Sequence, residues 1–353
     1  MLPPGARAIA AALGAALLFG VSTPFAKVLV GEMPAVLLAG LLYLGSGLGL
    51  AVTRTIRDGG WRPPQLSRPE WPWLLGAIAF GGVLGPVLMM LGLARTGAGT
   101  ASLLLNLEAV LTAVIAWLVF HENAGRRIVL GMLLILAGGA MLSWPTTGDH
   151  SADWRGPLAI AGACLCWAID NNLTRKVSGA DAVFVAGAKG LVAGALNTIL
   201  ALLLGAVLPP WGSTGSALLI GFAGYGASLV LFVLALRGLG AARTGAYFST
   251  APFVGAAMAI GFFGEPAGTA FWAAALLMAA GVWLHLTERH SHAHTHEPQH
   301  HSHPHVHDEH HRHEHDFEWD GREPHDHAHR HAPLRHSHPH FPDIHHRHGH
   351  GPS

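Results

Sequence analysis

The sequence LARTGAGTASLLLNLEAVLTAVIAWLVFHENAG, residues 93–125, carries the pattern that decides the fold. Between residues 98 and 120 it has a single charged side chain, Glu108, within a long apolar run. An α-helix needs about 20 such residues to cross the hydrocarbon core of a bilayer. The segment therefore predicts a membrane-spanning helix with a carboxylate inside it.

Nine more apolar stretches of similar length occur along the 353 residues. Glycine and alanine are abundant in them, as expected where helices pack closely in lipid. We therefore expect an all-α integral membrane protein. The ten predicted transmembrane helices cover residues 8–30, 34–53, 72–94, 98–120, 127–144, 156–176, 181–206, 216–236, 244–263 and 269–287.

The opening segment belongs to a stretch that recurs later in the chain. Residues 94–142 align with 237–285 without a gap and are identical at 12 of 49 positions, with FHENAG aligned to FGEPAG. A second match, at a slightly larger offset, places GAALLFGVSTPFAK (14–27) on GACLCWAIDNNLTR (162–175) and pairs Phe19 with Trp167 and Lys27 with Arg175. The chain is thus predicted to contain two copies of one unit.

Each copy contains five predicted spans, so the second copy begins on the opposite side of the membrane from the first. Inverted repeats of this kind are typical of secondary transporters, which bind their substrate near the midplane between the halves. The predicted organisation is a first repeat over 8–144, a second repeat over 156–287 and a histidine-rich tail over 288–353.

The basic residues predict the orientation, because cytoplasmic loops are enriched in lysine and arginine. With the amino terminus inside, only Arg95 and Arg155 fall in outer loops. We therefore expect a multi-pass protein of the cell membrane with both termini in the cytoplasm. The residues in inner segments are Arg7, Arg54, Arg57, Arg62, Arg68, Arg126, Arg127, Arg175, Lys176, Arg237 and Arg243.

The two aligned stretches, 93–142 and 236–284, resemble the duplicated domain of the EamA family in the drug/metabolite transporter superfamily. The resemblance implies ten helices, cytoplasmic termini and transport of small organic solutes, often export. The family's LEPV-type motif is divided here, as LEAV at Glu108 in one copy and TAPF at Pro252 in the other. A functional glutamate can therefore be carried over at Glu108 alone.

Polar residues inside predicted spans are candidates for function, because they are costly in a bilayer. Glu108 is either a proton-coupling carboxylate or substrate contact, or a hydrogen-bond partner between helices. The cluster WAIDNNLTRK (167–176) either lines the substrate path or fixes its helix to its neighbours. The candidates for the substrate path and coupling are Lys27, Asn106, Glu108, Asp170, Asn171, Asn172 and Lys189.

Structural roles are the alternative for Asp170 and the expectation for Glu122 and Glu265. The simplest alternative for Asp170 is a salt bridge to Lys189, which would remove both from the coupling list. Glu122 and Glu265 precede the next predicted helices, and we expect them to stabilise the amino termini of those helices through the helix dipole.

The tail begins after the last span and contains 24 of the 27 histidines, many in alternation, as in HSHPHVHDEHHRHEHD (301–316). Its few apolar residues predict disorder. Histidine-rich tracts bind zinc, nickel, cobalt and copper through neutral imidazole. The predicted metal ligands are His292, His294, His296, His301, His303, His305, His307, His311, His313, His315, His327, His329 and His331.

Two functions remain open at this point. The first is a secondary transporter of small polar organic solutes, with an accessory metal-binding tail and no required cofactor. The second is an exporter of divalent transition metals whose tail gathers its substrate. No nucleotide-binding GxxxxGK[ST] motif occurs, and a formal net charge of zero gives no sign of nucleic-acid binding. We expect no enzymatic activity, and the oligomeric state is left open.

Overall fold

The structure of the chain is a computed structural model. It describes residues 4–60, 66–120, 126–144, 154–177 and 180–287, and in the tail 291–296, 300–305, 325–330 and 334–339. The chain divides into two units, Met1–Glu288 and Arg289–Ser353, and each is described by itself.

The first unit is helical. The helices of the first repeat are α1 (Pro4–Val30), α2 (Ala35–Asp58), α3 (Trp71–Ala77), α4 (Gly85–Arg95), α5 (Ala98–Leu104), α6 (Leu107–Phe120) and α7 (Arg126–Ser143). Those of the second repeat are α8 (Arg155–Thr174), α9 (Ala182–Leu203), α10 (Trp211–Ile220), α11 (Ser228–Phe248), α12 (Ala251–Gly261) and α13 (Thr269–Leu286). Short 3₁₀ turns occupy Arg68–Glu70 and Arg175–Val177.

Eight helical segments within the described residues are long and apolar enough to cross a membrane. The predicted spans over 156–176 and 244–263 are not among the eight. The first corresponds to α8, whose polar residues from Asp170 to Thr174 lower its hydropathy. The second is divided between the end of α11 and the short helix α12, so neither piece is long enough.

Helix α11 must reverse direction between its first and last residues. Phe232 and Phe248 have ring centroids 5.0 Å apart. Sixteen residues of straight helix would separate them by about 24 Å. The chain therefore turns back between these two phenylalanines, as expected if the predicted eighth span ends and the ninth begins there.

Two π-helical segments interrupt spans that the sequence predicts as plain helices. They cover Ile78–Leu84 and Gly221–Ala227, and their separation equals the offset between the aligned stretches 94–142 and 237–285. Helices α7 and α13 are related by the same offset. The spacing of the sequence repeat therefore reappears in the positions of the structural elements.

Corresponding helices of the two copies pack against each other in opposite directions. In the α2–α9 pair, Gly47 contacts Gly190, and Gly40 contacts Thr198. A methyl group at Gly47 would overlap the α9 backbone. In the α7–α13 pair, Gly131 lies against Gly281. Glycine permits this close backbone approach, which is how helices associate in lipid.

One end of the α2–α9 pair carries a cluster of charges. Arg57 donates to the carboxylate of Asp181 at 2.6 Å, and Arg54 donates to it at 3.2 Å. The Asp181 side chain also caps α9 by accepting from the backbone N–H of Val183. The guanidinium of Arg57 holds the pKa of Asp181 below its usual range. We call this end of the bundle the Arg57 end.

The second unit contains short strands, and the disorder predicted for the tail stays a prediction. Four short strands form two antiparallel pairs: β1 (Ser291–His296) with β4 (Leu334–Pro339), and β2 (His300–His305) with β3 (His325–Arg330). An alternating sequence has the period of a β-strand, and backbone pairing does not require a buried face. The predicted ligands His307, His311, His313, His315 and His331 lie outside the described residues.

Candidate functional site

A closed ion pair lies in the interior of the helical unit. The ammonium of Lys189, on α9, donates to both carboxylate oxygens of Asp170, on α8, at 2.7 and 2.6 Å. The Thr174 hydroxyl donates to the same carboxylate at 2.8 Å. The two charged side chains are only 3% and 9% exposed. The salt bridge considered from the sequence is confirmed, and both charges are compensated.

The π-helical segment at residues 78–84 makes room for this pair. Any side chain at Gly81 would overlap the Asp170 carboxylate. The Gly81 carbonyl accepts hydrogen bonds from the Tyr43 hydroxyl at 2.7 Å and from the Trp167 indole at 3.1 Å. The wide turn thus places a polar backbone group among side chains of α2 and α8.

Glu108 has a different environment from Asp170. It lies in the first turn of α6, and its Oε1 accepts from the Asn171 amide at 2.7 Å. Within the described part of the chain, the Glu108 side chain makes this hydrogen bond and no other. Because Asn171 follows Asp170 on α8, the carboxylate adjoins the ion pair without being neutralised by direct contact with Lys189.

The other two asparagines are held by backbone groups. The Asn172 amide donates to the Ala168 carbonyl of its own helix at 2.9 Å. The Asn106 amide donates to the Leu103 carbonyl at 3.0 Å, in the turn between α5 and α6. Among the described residues, the carbonyl oxygen of Asn106 is buried without a partner. The structure therefore brings Asn171, and neither of these, to Glu108.

Lys27 lies at the joint between α4 and α5 and makes no described hydrogen bond to this cluster. Its ammonium donates to the carbonyls of Leu93 and Thr96, at 2.6 and 2.8 Å, where α4 ends. Cations are favoured at a helix carboxyl terminus. Its role in coupling stays a prediction, and we call this end of the bundle the Lys27 end.

Glu265 caps a helix, but not the one expected. Its two carboxylate oxygens accept from the backbone N–H groups of Ala98 and Gly99, at 2.7 and 2.8 Å, at the start of α5. It makes no side-chain cap on the following helix, α13, so the expected stabilisation of α13 through the helix dipole stays a prediction. Its equivalent Glu122 lies outside the described residues.

An aromatic cluster beside the ion pair was not predicted from the sequence. The Phe19 ring lies 5.9 Å from Trp167, 5.7 Å from Tyr225 and 5.4 Å from Phe248, between ring centroids. Tyr43 contacts Tyr225 at 5.5 Å. The available signal was the alignment of Phe19 with Trp167, which places equivalent positions of the two copies in contact.

Metal ligands do not converge in the helical unit. Over the residues that the structure describes, no three histidine, cysteine or carboxylate side chains could hold an ion together. Cys164 and Cys166 are buried free thiols. The described helices therefore offer a polar and aromatic site rather than a metal centre.

Comparison with known proteins gives both sequence and structural matches. The chain is 28% identical over 287 residues to an uncharacterized transporter of Methanothermobacter thermautotrophicus, covering 76% of this chain and 83% of the relative. It is 40% identical over 113 residues to a probable 4-amino-4-deoxy-L-arabinose-phosphoundecaprenol flippase subunit ArnE of Pseudomonas paraeruginosa, covering 31% of this chain and 94% of that protein.

A solved crystal structure matches with a TM-score of 0.60 at 20% identity, covering 78% of this chain and 94% of that chain. At this identity the likeness shows the fold alone. The model of the EamA-like transporter family matches residues 6–144 and again residues 154–287. The apolar helices, the two matched copies and the named relatives lead to one conclusion: the chain is a multi-pass membrane transporter that belongs to the EamA-like transporter family.

Proposed function

We propose that the protein is a secondary transporter that exports small polar organic solutes by alternating access between two inverted five-helix repeats. The observation that carries the proposal is the interior carboxylate of Glu108, held by a single described amide bond beside a closed ion pair. A charged group that is not fixed in a salt bridge can change its partner during a transport cycle.

The antiparallel pairing of α2 with α9 and of α7 with α13 supports the inverted arrangement. Helices that correspond in sequence run in opposite directions, as a two-fold axis in the membrane plane requires. The reversal within α11 supports ten spans, since it supplies the turn between the eighth and the ninth. In this arrangement the Lys27 end faces outward and the Arg57 end faces the cytoplasm.

The substrate is proposed to bind between Glu108 and the aromatic cluster. Trp167 and Asn171 are four residues apart on α8, so they share one face of the helix. That face presents an indole and an amide to the same region, and Glu108 lies against the amide. Aromatic faces and a few polar groups are the usual lining of sites for small organic molecules.

Glu108 is proposed to couple transport to protons. Substrate and proton would bind the same carboxylate in alternation, so that each turn of the cycle moves one against the other. The Asp170–Lys189 pair would then be a fixed structural element beside the exchange site. This division of roles follows from the number of charged contacts each carboxylate makes.

The tail is proposed to bind divalent metals as an accessory function. In β1, His292 and His294 occupy alternate positions and pair in register with His338 and His336 of β4. Alternate residues of a strand lie on one face. This register supports metal binding by the tail, which should weaken below about pH 6.5 as imidazole takes up protons.

Reconstitution into liposomes tests the transport proposal. In liposomes that contain the purified full-length protein, an imposed proton gradient should drive transport of amino acids or other small polar metabolites. A chain truncated after Arg289 should transport them at a comparable maximal rate, because every described contact of the polar site lies within Met1–Glu288. Flux of divalent metals alone, lost on truncation, would replace this proposal with metal export.

Reporter fusions test the topology. Fusions at Gly212, before the eighth span, and at the carboxyl terminus should report opposite sides of the membrane. The same side for both would contradict the ten-span arrangement, whatever the substrate.

A further inference from the structure

The Glu108 carboxylate has an oxygen available to a solute. Its Oε1 accepts from the Asn171 amide, and in the part of the chain that the structure describes its Oε2 has no hydrogen-bond partner. Glu108 and Asn171 are both partly exposed, whereas Asp170 and Lys189 beside them are buried. A carboxylate within a membrane span is costly unless a partner compensates it. The open oxygen is therefore the natural acceptor for a donor group on the substrate.

The basic side chains that could compensate Glu108 are engaged elsewhere. The Lys189 ammonium donates to both oxygens of Asp170, and the Lys27 ammonium donates to backbone carbonyls where α4 ends. Arg57 donates to a carboxylate at the Arg57 end. Among the described residues, no lysine or arginine donates to Glu108. The site therefore has a negative group and no positive group in contact with it.

The aromatic rings near this carboxylate have their hydrogen-bond donors bound to the protein. The Trp167 indole and the Tyr43 hydroxyl both donate to the Gly81 carbonyl, at 3.1 and 2.7 Å. This carbonyl lies in the π-helical segment, where a carbonyl accepts from the N–H five residues later. For Gly81 that residue is Pro86, which has no N–H, so the carbonyl is open to side chains. The rings therefore have π surface, rather than donors, to offer a solute.

The carboxylate and the π surface favour the same kind of group. Trp167 lies one helical turn before Asn171 on α8, and the Asn171 amide reaches Glu108. An aromatic face attracts a cation, because its π electrons give it negative charge. A solute carboxylate would be repelled by Glu108 and would find no cation of the described helices to bind. Both features therefore favour an ammonium group over a carboxylate.

Building on the proposed transport function, we propose that the site selects organic amines, meaning solutes with a protonated amine, an apolar or aromatic body and no carboxylate. The ammonium group donates to Oε2 of Glu108, and the body of the solute lies against the Trp167 ring. Amino acids and organic anions bind more weakly, because each brings a carboxylate next to Glu108. The proposed substrates are thus a narrower class than small polar solutes in general.

Three probes with the same phenyl body test the selectivity. They are 2-phenylethylamine, phenylalanine and 3-phenylpropionate, which carry an amine, both groups and a carboxylate. Binding to the purified full-length protein is measured by calorimetry at about pH 8, where an alkylamine is still protonated. The amine should bind about tenfold more tightly than phenylalanine, and 3-phenylpropionate should show no binding. Phenylalanine binding as tightly as the amine, or more tightly, would overturn the proposal.

Replacing the carboxylate should remove the selectivity. Glu108→Gln should weaken binding of 2-phenylethylamine about tenfold and abolish its advantage over phenylalanine. Glu70→Gln is the matched control, because Glu70 lies in an exposed turn with Ser67, and it should bind the amine as the native chain does. Native affinity for the amine in Glu108→Gln would contradict the proposal.

Two replacements of Trp167 separate the ring surface from the indole donor and protect the test against misfolding. Trp167→Phe keeps an aromatic face and loses only the bond to Gly81, which Tyr43 still occupies. This variant should bind 2-phenylethylamine within about threefold of the native affinity. Trp167→Leu removes the face and should bind it several-fold more weakly than Trp167→Phe. Equal affinities in the two variants would rule out a contact between the ammonium-bearing solute and the ring.

Flux in liposomes distinguishes this inference from the proposed function. If the amine binds selectively but a proton gradient drives no flux of any probe, the amine site stands and proton-coupled transport fails. If phenylalanine binds more tightly and is the probe that a proton gradient moves, transport stands and selection of amines fails.

Discussion

Two neighbouring carboxylates in the interior of the helical unit, Asp170 and Glu108, differ in the number and charge of their hydrogen-bond partners. Asp170 receives two hydrogen bonds from the Lys189 ammonium and a third from the Thr174 hydroxyl, whereas Glu108 receives one from the Asn171 amide. A buried charge with a full set of partners cannot exchange them without a large penalty, whereas one held by a single neutral group can. The difference separates a structural ion pair from a group that can take part in transport.

The largest effect is expected from breaking the ion pair. Lys189→Met leaves the Asp170 carboxylate buried without its cation, which should cost about 3–5 kcal/mol. The yield of monodisperse protein in detergent should collapse. The double variant Asp170→Asn/Lys189→Met should recover most of it, since neither residue is then charged. If Lys189→Met melted at the same temperature as the native chain, Asp170 would not depend on Lys189 as its contacts indicate.

Replacing Glu108 should affect transport rather than folding. Glu108→Gln keeps an oxygen that can accept from Asn171, so the melting temperature should change by only a few degrees. Proton-driven flux in liposomes should fall to background, because the amide cannot exchange a proton. Glu70→Gln is the matched control, since Glu70 lies in an exposed turn with Ser67. Native flux in Glu108→Gln would transfer the coupling role away from this residue.

Replacing Asn171 and Asn172 in turn tests whether the contact with Glu108 matters for transport. Asn171→Ala removes the hydrogen bond to Glu108, and a bond to a charged group is worth about 1.5–3 kcal/mol. The substrate concentration for half-maximal flux should rise about tenfold. Asn172→Ala should leave it unchanged, because that amide bonds to its own helix. Equal effects of the two variants would place both, or neither, at the site.

The smallest effect is expected at the exposed ion pairs of the Arg57 end. Since Arg57 lowers the pKa of Asp181, the folded state gains stability above the ordinary aspartate pKa of about 3.9 and loses it as the pH falls through the lowered value. The gain should be below about 1 kcal/mol, because water screens these side chains. Asp181→Asn should melt slightly below the native chain at pH 7, and the difference should shrink as the pH falls below about 3.9 towards the lowered pKa. A difference of several kcal/mol would make this surface cluster as important as the interior pair.

The helical membrane architecture could be predicted because the length of the apolar stretches and the internal repeat are visible in the sequence itself. The sequence also offered the Asp170–Lys189 contact as the alternative to a role in coupling, since a lysine inside a span needs a compensating charge. It could not predict which asparagine meets Glu108, because the turn between α5 and α6 alters the helical phase at Asn106. It likewise missed that Glu265 reaches α5 across the molecule, since nothing in a local motif specifies a distant partner.

The paired π-helical segments indicate that the gene arose by duplication. A π-helical turn takes more residues than an α-helical one and is typically found as a short interruption of an α-helix. The two segments have the same length, and the distance between them along the chain equals the offset of the sequence match. Two unrelated insertions would have had to occur at equivalent sites to give this pattern. A single ancestral unit that already had the wide turn, and was then copied in tandem, accounts for both.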